Sequence, residues 1–119
     1  MTGFLASDER SYPVPLMAPM PATGATIALS ANVASTAVEI DTTAGVASYI
    51  EIYCPEDTYI KFSATSGTAI TTGNGGFDLF VPGGQQVDVP VSNDRPWMRL
   101  LSATSGSVIW YYIGAKVTW

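Results

Sequence analysis

Tyr59-Ile60-Lys61-Phe62-Ser63-Ala64-Thr65-Ser66-Gly67 and Met98-Arg99-Leu100-Leu101-Ser102-Ala103-Thr104-Ser105-Gly106 end in the same five residues. In each copy a short apolar segment carrying one cation runs into small hydroxyl residues and then Gly. This reads as a strand closing in a turn, because Gly takes φ > 0 without steric penalty and Ser and Thr bond to the local backbone. A β-prone segment follows each copy, residues 68–72 after the first and 107–113 after the second. The pattern predicts a β-hairpin used twice, 39 residues apart, at equivalent corners of one fold. Small hydroxyls beside Gly also suit an anion loop, but with no His and only scattered cations the architectural reading is the stronger.

Strand signals continue on both sides of the repeats. Residues 26–29 form a short apolar run. Ser35 to Asp41 alternates, with Val38 and Ile40 on one side and Glu39 and Asp41 on the other. In Ser48 to Cys54, residues Ile50, Ile52 and Cys54 face in, and Tyr49, Glu51 and Tyr53 face out. Ile60 and Phe62 form the inner side of the first repeat strand, with Tyr59 and Lys61 opposite. Residues 77–81 and 85–91 follow strong turn clusters, and Pro90, which has no N–H to give, demotes the latter to an edge strand or ends its pairing there. The longest run is Val108 to Trp119. Its stricter apolar side is Ile109, Tyr111, Ile113, Ala115, Val117 and Trp119, and its other side holds Val108, Trp110 and Tyr112. About eight antiparallel strands with turn signals every 8–12 residues predict an all-β fold, a single β-sandwich or jelly-roll-like domain over residues 26–119.

Residues 1–25 have a different composition. Four of the eight prolines fall here, Pro13, Pro15, Pro19 and Pro21, interleaved with Val14, Leu16, Met17 and Met20. Proline fixes φ and removes a donor, so the segment is expected to be an extended arm, neither a helix nor a central strand. Its apolar residues distinguish it from a solvated linker and imply that it lies on its own domain or on a neighbouring subunit.

Composition narrows the function. The 119 residues suffice for one domain. Only 13% are charged, about half of the roughly 25% usual for a soluble domain, which favours burial of much of the surface against other subunits. No apolar run approaches the ~20 residues of a membrane span. A net charge of −5, with Arg10, Lys61, Arg95, Arg99 and Lys116 scattered, opposes nucleic acid as a partner. Residues 1–7 lack the basic and apolar regions of a signal peptide, so synthesis and folding in a reducing cytoplasm are expected.

Chemistry is hard to find. There is no His for a general base, a metal site or a Ser-His-Asp arrangement. Glu39, Asp41, Glu51 and Asp78 alternate outward, and Glu56, Asp57 and Asp94 sit in turns, which reads as solvated surface. Glu56-Asp57 or Asp41 is the best available calcium ligand set, but no calcium-loop pattern surrounds it. Cys54, the one cysteine, follows Ile50 and Ile52 in alternation and reads as a buried thiol. No catalytic residue, cofactor or metal is expected. Tyr49, Tyr53, Tyr59, Trp110 and Tyr112 fall on the less strictly apolar strand sides. Such a set of rings suits burial against another subunit, or stacking on sugar rings in a carbohydrate-binding module. The scarcity of charge favours the subunit contact.

An extended N-terminal arm before a small all-β domain rich in Ser, Thr, Ala and Gly, acidic and without His, resembles the small virion proteins of tailed bacteriophages. The nearest type is the capsid decoration (cement, auxiliary head) protein. The unit Leu100-Leu101-Ser102-Ala103-Thr104-Ser105-Gly106, followed by Val108-Ile109-Trp110, is also similar to strand-loop units of small phage structural proteins. The resemblance spans the chain in style and has no diagnostic motif, so no family residue transfers. It implies a non-enzymatic protein of the virion, made in the host cytoplasm, that binds the major capsid protein on the outside of the head and associates with itself as a homotrimer. The contacts expected are Pro13, Val14, Pro15, Leu16, Met17 and Met20 of the arm together with the five rings. The alternatives are a carbohydrate-binding module and a head-fibre or receptor-binding base domain.

Overall fold

The computed structural model describes residues 5–7, 13–19, 23–42 and 49–116, with side chains for 19, 23–42 and 49–114. Ten strands and no helix occupy them: β1 (Leu5–Ser7), β2 (Pro13–Pro19), β3 (Ala25–Leu29), β4 (Val38–Glu39), β5 (Tyr49–Cys54), β6 (Thr58–Ser63), β7 (Leu79–Val81), β8 (Gln85–Pro90), β9 (Trp97–Ser102) and β10 (Gly106–Lys116). All pairings are antiparallel. Four strands of one sheet follow the order β3-β10-β5-β8, and the second sheet has the order β4-β9-β6-β7. β2 and then β1 extend the first sheet beyond β3, along the distal half of β10.

The two sheets face each other across one core. Ile27, Leu29, Ile50, Ile52, Cys54, Val108 and Trp110 come from the first, and Ile60, Val81, Met98 and Leu100 from the second. Period-two alternation produces this directly. Ile50, Ile52 and Cys54 are fully buried while Tyr49 and Tyr53 between and beside them are exposed. β8 pairs with β5 alone and is an edge strand, the place a Pro90-bearing strand tolerates.

β10 organises the first sheet. Ile109 and Trp110 pair with β3 on one side and β5 on the other, and Ile113 pairs with both Pro19 and Tyr49. β2 and β3 therefore share one edge of β10. Tyr111 and Tyr112 lie between the two pairings and take part in neither, and the Tyr112 N–H left without a ladder partner there donates to the Thr23 hydroxyl at 3.2 Å. The expectation that the proline-bearing segment is no central strand is corrected: β2 lies between β1 and β10. Backbone N–H groups alternate sides along a strand, so prolines at 13, 15 and 19 remove donors toward one neighbour only.

Three further sequence expectations are corrected. Neither Ser-Ala-Thr-Ser-Gly copy closes a tight hairpin. After the first, residues 68–72 form no strand. The chain makes a long loop, with Ile70 buried and Thr71 N–H bonded to Gly76 O at 2.9 Å, before β7 returns beside β6. A Cβ on Gly76 would stand 1.8 Å from Thr71 Oγ1, which is why this return needs glycine. The second copy crosses from β9 in one sheet to β10 in the other. What the copies share is a strand pair: β6 and β9 lie side by side with Lys61 directly opposite Arg99.

The Ser35–Asp41 alternation yields only a two-residue strand. The buried Ser35 hydroxyl accepts the Leu100 N–H at 3.0 Å where a ladder carbonyl would otherwise stand. The third correction concerns β10, whose inner side is Val108, Trp110 and Tyr112. Trp110 is 5% exposed, against 45% for Ile109. Ring volume wins the core position there and Ile109 faces out, although Ile113 further along the same side is also buried. Residues 117–119 lie outside the described residues. Trp110→Ala should lower unfolding free energy by about 3–5 kcal/mol, and Ile109→Ala by no more than about 1 kcal/mol, measured by urea denaturation.

Candidate functional site

On the outer side of the β3-β10-β5-β8 sheet the register builds three rows. Tyr111, Glu51 and Asp88 lie side by side across β10, β5 and β8. One flanking row is Ile109, Tyr53 and Gln86, and the other is Ile113, Tyr49 and Pro90. Rows two residues apart are separated by roughly 6.5 Å. Tyr49, Tyr53 and Ile109 are 38%, 37% and 45% exposed, three of the five large apolar residues that stand out from the described surface. No described element covers them. The flanking row of Ile113 continues by register onto Pro19, and Ile113 itself is only 5% exposed, so the open part of this side lies at Tyr49, Tyr53 and Ile109.

The middle row has unusual electrostatics. The Tyr111 hydroxyl donates to Glu51 Oε1 in a short hydrogen bond, and Asp88 stands directly opposite Glu51 on the other side. The Tyr111 bond lowers the Glu51 pKa, but partial burial and the hydrogen bond and charge of Asp88 outweigh it, and the net shift is upward. Tyr111 is pushed up to about 12, first by its bond to Glu51, then by burial and by the two carboxylates. No ion pair neutralises Glu51 among the described residues.

The outer side of the second sheet is different. Tyr59 packs against Phe77 and Phe80 with ring centroids 4.8 Å and 5.0 Å away. Lys61 Nζ donates to Gly75 O at 3.3 Å, and an Arg99 guanidinium nitrogen donates to Ser66 O at 2.7 Å. The cations hold the loop that follows the first repeat. That loop engages this side of the molecule, while on the first sheet's outer side Ile113 is buried and Tyr49, Tyr53 and Ile109 stay open among the described residues.

The expected contact residues therefore divide. Tyr49 and Tyr53 share the open side. Tyr59 is packed against its own molecule on the opposite sheet. Trp110 lies in the core, and Tyr112 faces inward, its ring 5.3 Å from Trp110 and its hydroxyl accepting the Asp41 N–H at 2.8 Å. Grouping Trp110 and Tyr112 with Tyr49 and Tyr53 on one exposed side is thus corrected by the parity of β10. Met20 lies outside the described residues. Pro13, Val14, Pro15, Leu16 and Met17 are placed by backbone in β2, their side chains outside the description. Ile109, Tyr111, Asp88 and Gln86 join the open side instead. Pairing register supplies them, and a single strand's alternation does not contain that information.

Two other places were candidates for chemistry. A cavity of about 210 Å³ opens between the sheets beside β8, lined by Ile40, Phe62, Val89 and Val91 with Asp78 and Arg95 at its polar positions. Asp78 is occupied structurally, accepting the Phe62 N–H at 2.7 Å. Asp57 likewise accepts the Gly83 N–H at 2.7 Å and fixes the turn before β8. Among the described residues no group of three or more His, Cys, Asp or Glu is placed to hold a metal. The Cys54 thiol is fully buried, and desolvation raises its pKa despite a hydrogen bond with Thr58 that lowers it, which keeps it a weak nucleophile.

Comparison of the chain with protein-family models, curated proteins and solved structures gives no match in any of the three.

Because the folded state binds the Glu51 proton more tightly than the unfolded chain does, the associated stability is present at acid pH and is lost as pH rises through the raised value. Glu51→Gln keeps an acceptor for Tyr111 and removes the repulsion with Asp88. It should stabilise the protein at pH 7 by about 0.2–1 kcal/mol, a range set by solvent screening at a partly exposed site. Thermal melts from pH 4 to 7 should show a weaker decline with pH than wild type.

Proposed function

We propose that this chain is a non-enzymatic structural protein of a virus particle, of the phage head-decoration kind, which binds the outside of a capsid as a symmetric oligomer and stabilises the head. The observation that carries this reading is the open side of the first sheet, where Tyr49, Tyr53 and Ile109 stand together uncovered. Exposed aromatic and aliphatic residues gathered around a polar row are what a protein contact buries. The strands β1 and β2 extend the same sheet and pack against each other and β10, which supports a role for the N-terminal segment in contacts with neighbours.

The strand order supports a jelly roll. Successive strands from β3 to β10 change sheets at every step except β6 to β7, and the orders β3-β10-β5-β8 and β4-β9-β6-β7 are those of eight strands wound as two Greek keys. Capsid and lectin domains both use that architecture, so fold does not choose between them. The surface has to decide. The major capsid protein and further copies of the chain, as a homotrimer, are the proposed partners, with the virion as location. A protein that binds only the assembled shell opposes disassembly by mass action.

The second reading, a carbohydrate-binding module, uses the same rings: Tyr49 and Tyr53 lie roughly 13 Å apart along β5 with Glu51 between them. It requires a monomer that is retained by a polysaccharide. Light scattering on the purified protein should give a multiple of the 12.6 kDa chain mass. Removal of residues 1–22 should leave the β3–β10 domain folded and weaken association or particle binding at least tenfold. A monomer whose polysaccharide retention is lost in Tyr49→Ala and Tyr53→Ala would reverse the choice.

A further inference from the structure

We propose that the outer side of the β3-β10-β5-β8 sheet docks a second protein that presents an arginine between apolar residues. The guanidinium would seat on the Glu51–Asp88 pair, and its apolar neighbours on Tyr49, Tyr53 and Ile109. The inference rests on reading this side as a contact surface and names the chemistry of what covers it.

Charge and shape select the occupant together. Glu51 and Asp88 are direct cross-strand neighbours on adjacent strands, an arrangement that like charges make unfavourable. Among the described residues the one side-chain hydrogen bond to the pair from elsewhere comes from the neutral Tyr111 hydroxyl. A cation brought by a partner relieves the repulsion without first breaking an existing ion pair. Arginine suits the site better than lysine. Its planar fork offers parallel donors to oxygens on adjacent strands, and its faces stack on phenol rings. Rings and an aliphatic residue flank the carboxylate row on both sides, at Tyr53 and Ile109 in one direction and Tyr49 in the other. That is the layout of an interface centre, where Tyr and Arg dominate.

The other occupants fit less well. A second copy docked through the same side would set carboxylates against carboxylates. The adjacent cations of the opposite sheet, Lys61 and Arg99, are engaged by carbonyls of their own loop. A neutral glycan would stack on the rings but leave the carboxylate pair unneutralised.

The test is NMR titration of the full-length protein with acetyl-Leu-Arg-Leu-amide, the same peptide with citrulline for arginine, and cellohexaose. The arginine peptide should shift resonances of Tyr49, Glu51, Tyr53, Asp88 and Ile109 along a saturating curve. Binding should be about tenfold weaker for the citrulline peptide and for Glu51→Gln/Asp88→Asn, the loss expected for a charge-assisted bidentate contact. No shift on this side, an equal response to citrulline, or shifts produced by cellohexaose instead would overturn the inference. Light scattering on Glu51→Gln/Asp88→Asn should give the wild-type mass, and a changed mass would assign the surface to contacts between copies and overturn it as well. A protein that proves monomeric yet binds the arginine peptide would sink the oligomeric reading and leave this inference standing.

Discussion

Side-chain parity along β10 is the constraint on which the rest depends. The strand carries β5 along one edge and β3 and β2 in succession along the other, and alternate residues must point to opposite sides. With Trp110 inward, Val108 and Tyr112 follow it inward, and Ile109 and Tyr111 are forced outward. A shift of one residue would bury Ile109 and Tyr111 and expose an indole. Through the pairings with β5 and β8 the same parity places Ile50, Ile52, Val87 and Val89 inside, and gathers Tyr49, Glu51, Tyr53 and Asp88 outside. Core and open surface are two consequences of one register.

The two sheets then differ in what happens outside. On the second, the cross-strand pair Lys61 and Arg99 would repel if left bare. The loop from the first repeat offers them carbonyl acceptors at Gly75 and Ser66, while Phe77 closes on Tyr59. On the first, the two carboxylates of Glu51 and Asp88 receive the Tyr111 hydroxyl, and among the described residues no loop is latched onto them. The asymmetry between a latched outer side and one left open at Tyr49, Tyr53 and Ile109 directs attention to the first sheet as the contact surface.

Much of the fold was readable from residues alone because it depends on local alternation. The strands around Ile50, Ile60, Val87 and Leu100 and the edge position of the Pro90 strand follow from period two and from proline's missing donor. The repeat misled because sequence identity in a loop does not say where the following strand pairs. One Ser-Ala-Thr-Ser-Gly leads into a long loop within its sheet, and the other crosses between sheets. The open side was half legible. Tyr49 and Tyr53 are marked by their own strand, but the alternation of β10 does not reveal that Trp110 and Tyr112 face inward. Both sides of that strand are apolar, so hydrophobicity alone could not break the tie between a buried tryptophan and a buried isoleucine. Asp88 and Tyr111 emerge only when three strands are set in register.

Hydroxyl-radical footprinting read by mass spectrometry, with each residue normalised to its rate in the unfolded chain, tests the central claim most directly. The account predicts rapid labelling of Tyr49, Tyr53 and Ile109 in the isolated protein and strong protection of Trp110, Ile50 and Ile52. It further predicts loss of labelling at Tyr49, Tyr53 and Ile109 once the protein is in its assembled complex. Trp110 labelled as readily as Ile109, or Tyr49 and Tyr53 unchanged on assembly, would contradict it.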